Sequence, residues 1–317
     1  MNIARFNRCT VISTILLGFT LIGVCHAQLP EIASAESLAD SEVLFFEDFA
    51  DSELDRTNWN VLIMGQPYND EQQAYIDSPE TLYILPGNQV EGAQNGALVL
   101  HPRFKAGYET PEGRKVDFVS SRINTKGKVE VTYGTLSARI KLPEGSGVWP
   151  AFWALGTGPW PATGEIDVME CIGEPEWISF ALHGPGYSGD TPLVEKHMFE
   201  NDFDANEWHV YSVDWLPTQL VFKVDEKPIY RVSRRMVEQY GDWAFDNPKF
   251  LILNVALGGT YPAKENKVKS PYYGIPESTV ERIKNDKAQM FVDWVRISKP
   301  VSASEATGNP IDGSPAQ

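Results

Sequence analysis

The sequence predicts an all-β protein, a sandwich or β-jelly roll of two antiparallel sheets. The composition supports this, because 9 Trp, 12 Tyr and 15 Phe occur together with 25 Gly and 22 Pro. Aromatic residues favour strands, and Gly and Pro favour the turns between them. Several segments also alternate polar and apolar residues, and most connections between them are short.

The clearest alternating segment covers residues 134–142. Leu136, Ala138, Ile140 and Leu142 share one face, and polar residues occupy the other. Similar segments occur at residues 97–101, 209–214, 219–224, 249–255 and 290–297. Only residues 233–240 favour a helix, and a short one. The helical content is therefore predicted to be small.

The N-terminus has the features of a secretory signal peptide. Arg5 and Arg8 precede an apolar run that is shorter than the about 20 residues of a membrane span. A small-x-Ala ending predicts cleavage after Ala27. Acylation of Cys25 in a lipoprotein is the alternative, although the bulky Val24 disfavours it. We therefore expect a secreted or periplasmic protein.

The predicted organisation is a signal peptide at residues 1–27, a tail at 28–40, one domain at 41–299 and a second tail at 300–317. Both tails lack periodicity, and no linker or internal repeat interrupts the residues between them. Cleavage leaves Cys171 as the one cysteine, so no internal disulfide can form. We predict that Cys171 is buried and structural.

The charge of the chain limits its partners. With 43 acidic and 27 basic side chains the formal charge is -16, whereas nucleic-acid binding requires a basic surface. We expect no nucleic-acid partner, no membrane contact after signal cleavage, and a monomer.

The most informative segment covers residues 164–170, where the alternation slips by one residue. In a regular strand Glu165 and Asp167 share a face, but Glu170 would point into the core. A buried unpaired carboxylate is costly. We therefore predict a β-bulge at Val168 and Met169 that turns Glu170 to the face of the other acids, with one bulge residue facing inward. The glutamate carboxyls could then approach to about 5 to 5.5 Å, the spacing of a retaining glycosidase.

Three acids on one face also suit a metal site or a solvated strand. The upstream sequence favours a third interpretation, because Trp149 and Trp153 fall on one strand face while Phe152 faces the core. Such indoles can be core residues, but two side by side also form a platform for sugar rings. With the acids on an adjacent strand, we favour a carbohydrate cleft.

Together these motifs resemble glycoside hydrolase family 16, and specifically its bacterial laminarinase-like endo-β-1,3-glucanases. The matching motifs are FFEDF at residues 45–49, YNDEQQ at 68–73, SRINTK at 121–126, WPAFW at 149–153, GEIDVME at 164–170, HGPGYSG at 183–189, LNVALGG at 253–259 and FVDWVR at 291–296. The resemblance implies a β-jelly roll whose concave face binds a β-glucan polysaccharide or oligosaccharide.

The resemblance also implies roles for the acids. Glu165 matches the nucleophile, Glu170 the general acid/base, and Asp167 a residue that tunes the nucleophile. The charge of Glu165 should raise the pKa of Glu170, which keeps the acid protonated. Hydrolysis by this mechanism retains the anomeric configuration and needs no cofactor.

Three further residues match family positions that contact sugars: His183 near the acid/base, Arg139 on a polar strand face, and Asn69 in a loop. A structural histidine, a solvated arginine and a turn asparagine are the alternatives. The resemblance further implies a structural Ca2+ held by backbone oxygens of Glu47 and Gly96 and by Asp293, which would clamp the terminal strands.

Other functions remain open beside the endo-β-1,3-glucanase. The substrate could be mixed-linkage β-1,3-1,4-glucan or a marine galactan. A non-catalytic glucan-binding lectin could share the fold, although the intact acids Glu165, Asp167 and Glu170 count against it.

Overall fold

The computed structural model describes residues 42–199 and 205–299. The predicted signal peptide and both predicted tails lie outside these residues. The described strands are β1 (Val43–Glu47), β2 (Asn60–Val61), β3 (Gln73–Tyr75), β4 (Leu82–Pro86), β5 (Gly96–Leu100), β6 (Arg103–Glu109), β7 (Lys115–Ser120), β8 (Arg122–Asn124), β9 (Glu130–Val131), β10 (Gly134–Lys141), β11 (Val148–Gly156), β12 (Glu165–Glu170), β13 (Trp177–His183), β14 (Val194–Met198), β15 (Trp208–Leu216), β16 (Gln219–Val224), β17 (Lys227–Ser233), β18 (Lys249–Leu257) and β19 (Met290–Ser298). The helices are α1 (Arg234–Val237), α2 (Thr260–Asn266), α3 (Glu277–Lys284) and a 3₁₀ turn at Gly87–Gln89.

Two large antiparallel sheets form the fold, as the sequence predicts. The first sheet has the order β17-β16-β15-β10-β19-β5-β4, with β1 also paired to β19. The second has the order β14-β13-β12-β11-β18-β8-β2, with β9 also paired to β18. A small third sheet, β3-β7-β6, contains a parallel pair between β3 and β7, which the alternation pattern does not predict.

The hydrophobic core lies between the two large sheets. Leu136, Ala138 and Ile140 of β10 are fully buried in it, as their alternation predicts. Across the core, the rings of Phe180 on β13 and Phe222 on β16 lie with their centroids 5.3 Å apart. All six strands predicted from alternation are present, within a few residues of their predicted ends.

The helical segments are more numerous than the sequence predicts. The predicted helix is the short α1, which is capped by Ser233 through a hydrogen bond from the Met236 backbone N–H. Helices α2 and α3 follow in the connection between β18 and β19 and were not predicted. In α3, Thr279, Val280 and Ile283 are buried at helical spacing, but this pattern covers only two turns. Within the described residues, none of the helices has the length and apolar character needed to cross a membrane.

The two ends of the described region meet beside the first sheet. Strand β1 pairs antiparallel with β19, the last strand. The Lys299 backbone N–H donates to the Glu42 carbonyl at 2.9 Å, and their side chains form an ion pair at 2.8 Å. The first and last strands therefore stabilise each other directly.

Candidate active site

The three acidic residues lie on β12, which is flanked by β11 and β13 in the second sheet. On β11, Ala151 lies opposite Glu170 and Trp153 lies opposite Asp167, so the shorter β11 interval matches a longer β12 interval. The pairing with β13 shifts in the same place, between Asp167 and Glu170. An extra residue in one strand defines a β-bulge, and the predicted register slip is confirmed.

The bulge also determines which residues of β12 enter the core. Ile166, Val168 and Met169 are all fully buried in the hydrophobic cluster between the sheets. The sequence predicts that only one of the two bulge residues faces inward, whereas the core accommodates both. The acids are thereby left to the other side of the strand.

Each acid of β12 has a defined surrounding. Glu165 and Glu170 are half-buried, while Asp167 between them is 3% exposed. The Trp149 indole N–H donates to Oε1 of Glu170 at 3.0 Å. The Nε2 atom of His183 lies 3.2 Å from Oδ2 of Asp167. An aromatic donor therefore holds one glutamate, and an imidazole contacts the central aspartate.

The electrostatics of the cluster favour bound protons. Burial raises the pKa of Glu165 to about 8, and the charge of Asp167 adds to this effect. Burial also raises the pKa of Asp167. For Glu170, burial and then the Asp167 charge raise the pKa, while His183 and the Trp149 hydrogen bond lower it and Glu165 contributes less. Because the three carboxyls repel one another, they titrate as a unit. The sequence assigns the main electrostatic effect on Glu170 to Glu165, whereas Asp167 exerts the larger one.

The two predicted platform tryptophans are half-buried and are fixed by polar contacts. Trp149 bonds the acid, and its ring packs edge-on against Tyr261 with centroids 5.2 Å apart. The Trp153 N–H donates to the Asn254 side-chain oxygen at 2.7 Å. The Arg122 guanidinium lies 4.7 Å from the Trp153 ring centroid, a cation–π contact. Both indoles are held in place before any ligand binds.

His183 is the last residue of β13 and lies directly opposite Glu165 in the ladder. The sequence places it near Glu170; it lies close enough to lower the pKa of Glu170, and its Nε2 atom contacts Asp167. Its Nδ1 atom is buried without a hydrogen-bond partner among the described residues. Since buried polar atoms are usually paired, this nitrogen can bond a water molecule or a ligand hydroxyl.

Asn69 lies in the exposed loop before β3 in the left-handed conformation, with a φ of 58°. Its carbonyl accepts a hydrogen bond from the Thr260 backbone N–H at 2.7 Å. Its side chain bonds the carboxylate of Glu71. Asn69 thus connects two loops, and the described contacts do not include the acids of β12.

The structure does not bring Arg139 to the acids. Arg139 lies on β10 in the first sheet, while the acids lie on the second. Its guanidinium contacts the Asp293 carboxylate at 2.5 Å, the Gly92 carbonyl at 2.8 Å and the Trp208 ring at 4.8 Å. Alternation assigns a strand face but not a sheet, which explains the difference. Arg122 is the arginine beside Trp153.

The expected calcium ligands lie on neighbouring strands, but the carboxylate does not fit a metal ion. The side chain of Asp293 is fully buried, and its Oδ1 accepts a hydrogen bond from the Gln94 backbone N–H at 2.7 Å. Its Oδ2 pairs with Arg139 at 2.5 Å. Both oxygens are used, and a guanidinium cation already neutralises the charge that Ca2+ would require. Glu47 and Gly96 alone supply too few oxygens.

The described residues contain one side-chain cluster with metal-ligand potential, and it is the acid cluster itself. Candidate ligand atoms of Glu165, Asp167 and His183 all lie within 4.8 Å of one another. The metal alternative raised by the acid motif is therefore compatible with the distances. Glu170, which accepts the hydrogen bond from Trp149, is not part of this trio.

Besides Arg122, two residues of the site were not singled out from the sequence. Trp160 is 51% exposed, and its side chain bonds Glu165. Tyr261 packs on Trp149 and shares a hydrogen bond of 3.1 Å with Ser179. A tryptophan in the turn immediately before the acid strand is a usable signal for Trp160. The signal for Tyr261 is weaker, because it follows β18 and is distant in sequence from the acids.

Cys171, which follows the acid strand, is structural as predicted. It is buried, and its sulfur accepts a hydrogen bond from the Gly173 backbone N–H at 3.2 Å. Burial raises the pKa of the thiol to about 12. A thiol with this pKa is unreactive near neutral pH.

Comparison with known proteins agrees with this geometry. Residues 87–296 match the family model of glycosyl hydrolases family 16. A glucan endo-1,3-beta-glucosidase A1 from Niallia circulans is 30% identical over 319 residues, covering 89% of this chain and 43% of that protein. A beta-glucanase from Rhodothermus marinus is 27% identical over 304 residues, covering 92% of this chain and 94% of that protein. The chain therefore spans less than half of one relative and nearly all of the other.

A solved structure shows the same fold. The endo-beta-1,3-glucanase from Pyrococcus furiosus is 31% identical with a TM-score of 0.70, and the alignment covers 82% of this chain and 95% of that chain. The family match spans most of the chain, including β12 with its three acids and the strands beside it. The protein is therefore a glycoside hydrolase and belongs to glycosyl hydrolases family 16.

Proposed function

We propose that the protein is an endo-glycosidase that hydrolyses β-1,3-glucan of the laminarin type with retention of configuration. The observation that carries this proposal is the bulge of β12, which leaves Glu165, Asp167 and Glu170 on the side away from the core. The two relatives and the solved structure described above, named as glucanases or glucosidases, support the glucan as substrate.

In the first step, Glu170 gives its proton to the glycosidic oxygen while Glu165 attacks the anomeric carbon. This requires one protonated and one ionised carboxyl. Mutual repulsion supplies that division, because ionisation of one acid raises the pKa of its neighbours. Asp167 and Trp160 both bond Glu165 and orient it for attack.

In the second step, water releases the sugar from Glu165. Formation of the glycosyl ester removes the negative charge of Glu165, so the pKa of Glu170 falls and its carboxylate can take a proton from the water. The Trp149 N–H favours the carboxylate form of Glu170. The two displacements together retain the β configuration, and the two glutamates supply all the proton transfer and nucleophilic chemistry.

The aromatic residues around the acids would bind the glucan. Trp160 exposes its ring beside Glu165, and Trp149 and Trp153 hold their rings on the strand next to the acids. Sugar rings present C–H faces that pack on such surfaces. Arg122, stacked on Trp153, and the buried Nδ1 of His183 can bond sugar hydroxyls.

The proposal includes export and a monomeric state. Mass spectrometry of the mature protein should show a chain that starts at Gln28, as cleavage after Ala27 requires. A diacylated Cys25 would instead establish a lipoprotein. Light scattering of the purified protein tests the monomer.

The decisive test is the activity of the purified enzyme on laminarin, lichenan, agarose and carrageenan, with product sizing. We expect the highest turnover on laminarin and a series of oligosaccharides from internal cleavage. Highest turnover on lichenan or on a galactan would reassign the substrate. Binding of laminarin without turnover of any substrate would identify a lectin.

A further inference from the structure

Lys249 is a buried cation that the proposed mechanism does not use. It opens β18 and is 1% exposed. Its ammonium donates to the carbonyls of Thr163 at 2.6 Å and Ala244 at 3.1 Å and to the Asn247 side-chain oxygen at 3.2 Å. All three N–H donors of the ammonium therefore have neutral oxygen partners. Burial lowers the pKa of Lys249 to about 7, so holding the cation here has a cost in free energy.

The first partner of Lys249 belongs to the loop of residues 157–164, which joins β11 to β12. This loop carries Trp160, whose side chain bonds Glu165. Thr163 lies between them in the chain, and Gly164 leads directly into Glu165. Inside the loop, the Thr163 and Gly164 backbone N–H groups donate to the carbonyls of residues 159 and 161 at 3.3 and 3.0 Å. Lys249 anchors this turn from the protein interior.

The other partners belong to the loop of residues 241–247, which supports the turn after His183. The Tyr187 hydroxyl in that turn donates to the Asp242 carbonyl at 2.8 Å. The two loops also contact each other, because a Cβ at Gly164 would lie 2.4 Å from the Ala244 carbonyl oxygen. Gly164 has a φ of 71°. The contact leaves no room for a side chain and holds the loops at a fixed distance.

Packing alone does not require a lysine at this position. The rings of Trp215 and Phe245 have their centroids 5.4 and 5.3 Å from the ammonium nitrogen. An unbranched apolar side chain such as methionine would fill the same aromatic surroundings. The feature that only a donor can satisfy is the set of three oxygens from the two loops.

We propose that Lys249 is a positioning residue that fixes the Trp160 loop against the His183 turn and thereby sets the substrate affinity at this end of the site. This inference rests on the proposed glycosidase function. The ammonium of Lys249 bonds the two loops and none of the acids of β12. It bonds the backbone of Thr163 and thereby determines the position of the Trp160 ring.

The test compares Lys249→Met with Lys223→Met in the full chain. Lys223 is a matched control, because it is 8% exposed and pairs with Asp214 at 2.9 Å on the first sheet. Lys249→Met should lower kcat/KM on laminarin oligosaccharides by about tenfold, mainly through KM, as expected for a misplaced binding group. Lys223→Met should lower the melting temperature and leave kcat/KM unchanged. A change in melting temperature alone for Lys249→Met would overturn the proposal.

A double-mutant cycle identifies the route of the effect. In a Trp160→Ala background, Lys249→Met should cost little further kcat/KM, because both changes disable the same loop. Independent, multiplying losses would overturn the route through Trp160. Lys249→Arg, which keeps the charge and donors, should recover part of the lost affinity. If Lys249→Met does not fold, Lys249→Gln gives the comparison, because its shorter side chain has two N–H donors for the three oxygens, and unchanged KM in that variant would overturn the proposal.

Failure of the positioning role of Lys249 can be distinguished from failure of the proposed function. Absence of turnover by the wild-type protein on every glycan would reject the function alone. The affinity for laminarihexaose is then measured by quenching of tryptophan fluorescence during a titration. Equal affinity for this probe in the wild type and in Lys249→Met would reject the positioning role.

Discussion

Replacement of Trp149 by phenylalanine removes the hydrogen-bond donor of Glu170 and keeps an aromatic ring at this position. The indole N–H lies 3.0 Å from Oε1 of Glu170. A phenyl ring can keep the edge-on contact with Tyr261, whose centroid lies 5.2 Å from that of Trp149. A donor to a carboxylate stabilises the ionised form, and this bond lowers the pKa of Glu170. In Trp149→Phe the acid should therefore hold its proton to higher pH.

The size of the shift follows from the strength of one bond. A hydrogen bond to a charged group contributes about 1.5–3 kcal/mol, and one pKa unit corresponds to about 1.4 kcal/mol. The bond would thus account for about 1 to 2 units. Because Glu170 is half-buried, water can replace part of the lost donor. We expect the lower end of the range, about 1 unit upward.

The assay is the pH dependence of kcat/KM on laminarin, whose alkaline limb reports loss of the acid's proton in the free enzyme. This limb should move to higher pH by about 1 unit in Trp149→Phe. Trp153→Phe is the matched control, since its N–H bonds the Asn254 amide at 2.7 Å and no carboxylate. Its alkaline limb should stay in place, whatever its activity. An unmoved limb in Trp149→Phe, or equal shifts in both variants, would refute the reasoning.

Other expected outcomes concern the acids, the bulge, the stereochemistry, the ion pair of Arg139 with Asp293, and the calcium site. Glu165→Gln and Glu170→Gln should each lower laminarin turnover by orders of magnitude, while calorimetry shows an unchanged affinity for oligosaccharides. Asp167→Asn should lower turnover less. Near wild-type turnover in either glutamine variant would contradict the assigned roles. Deletion of Met169 should restore regular pairing and keep Glu170 on the face of Glu165 and Asp167, because the two glutamates are then four residues apart, so activity should persist; complete loss of activity while circular dichroism still reports β structure would show that the bulge itself is required. Proton NMR of a fresh digest should show the β-anomer first, and an initial α-anomer would indicate inversion. Arg139→Met should lower the free energy of unfolding by about 3 to 5 kcal/mol, because it leaves a buried carboxylate unpaired. EDTA should leave the melting temperature of the wild type unchanged, and a clear decrease would reinstate the calcium site.

The sequence predicts the two-sheet fold and the bulge for the same physical reason. Strand side chains alternate with a period of two, so a buried face is visible as a repeated apolar position. Where Glu170 breaks that period, either a carboxylate enters the core or the strand gains a residue, and the cost of the first makes the second predictable. Single-face residues such as Leu136 and Ile140 follow the same rule and are buried as predicted.

Contacts between distant segments are less accessible from the sequence. The alternation of β10 assigns Arg139 to a polar face, but it does not say that Asp293 lies there to accept the charge. Likewise, the pattern around Trp149 gives its face and not the direction of its N–H, which depends on the bulge in the next strand. Lys249 was predicted as part of a strand, and its partners come from two loops without periodicity.

The meeting of the two ends of the described region has a consequence for engineering and for modular architecture. Because Lys299 and Glu42 are already hydrogen-bonded, a linker of a few residues can close the described region into a ring. New termini can then be opened in the exposed turn of residues 111–113, between β6 and β7, and such a circular permutant should keep every pairing of the two large sheets. Any module fused next to residue 42 or residue 299 would leave from the same point beside the first sheet. The acids lie on the other sheet. Modules can therefore be fused at both of these positions without being attached to the strand that holds the acids.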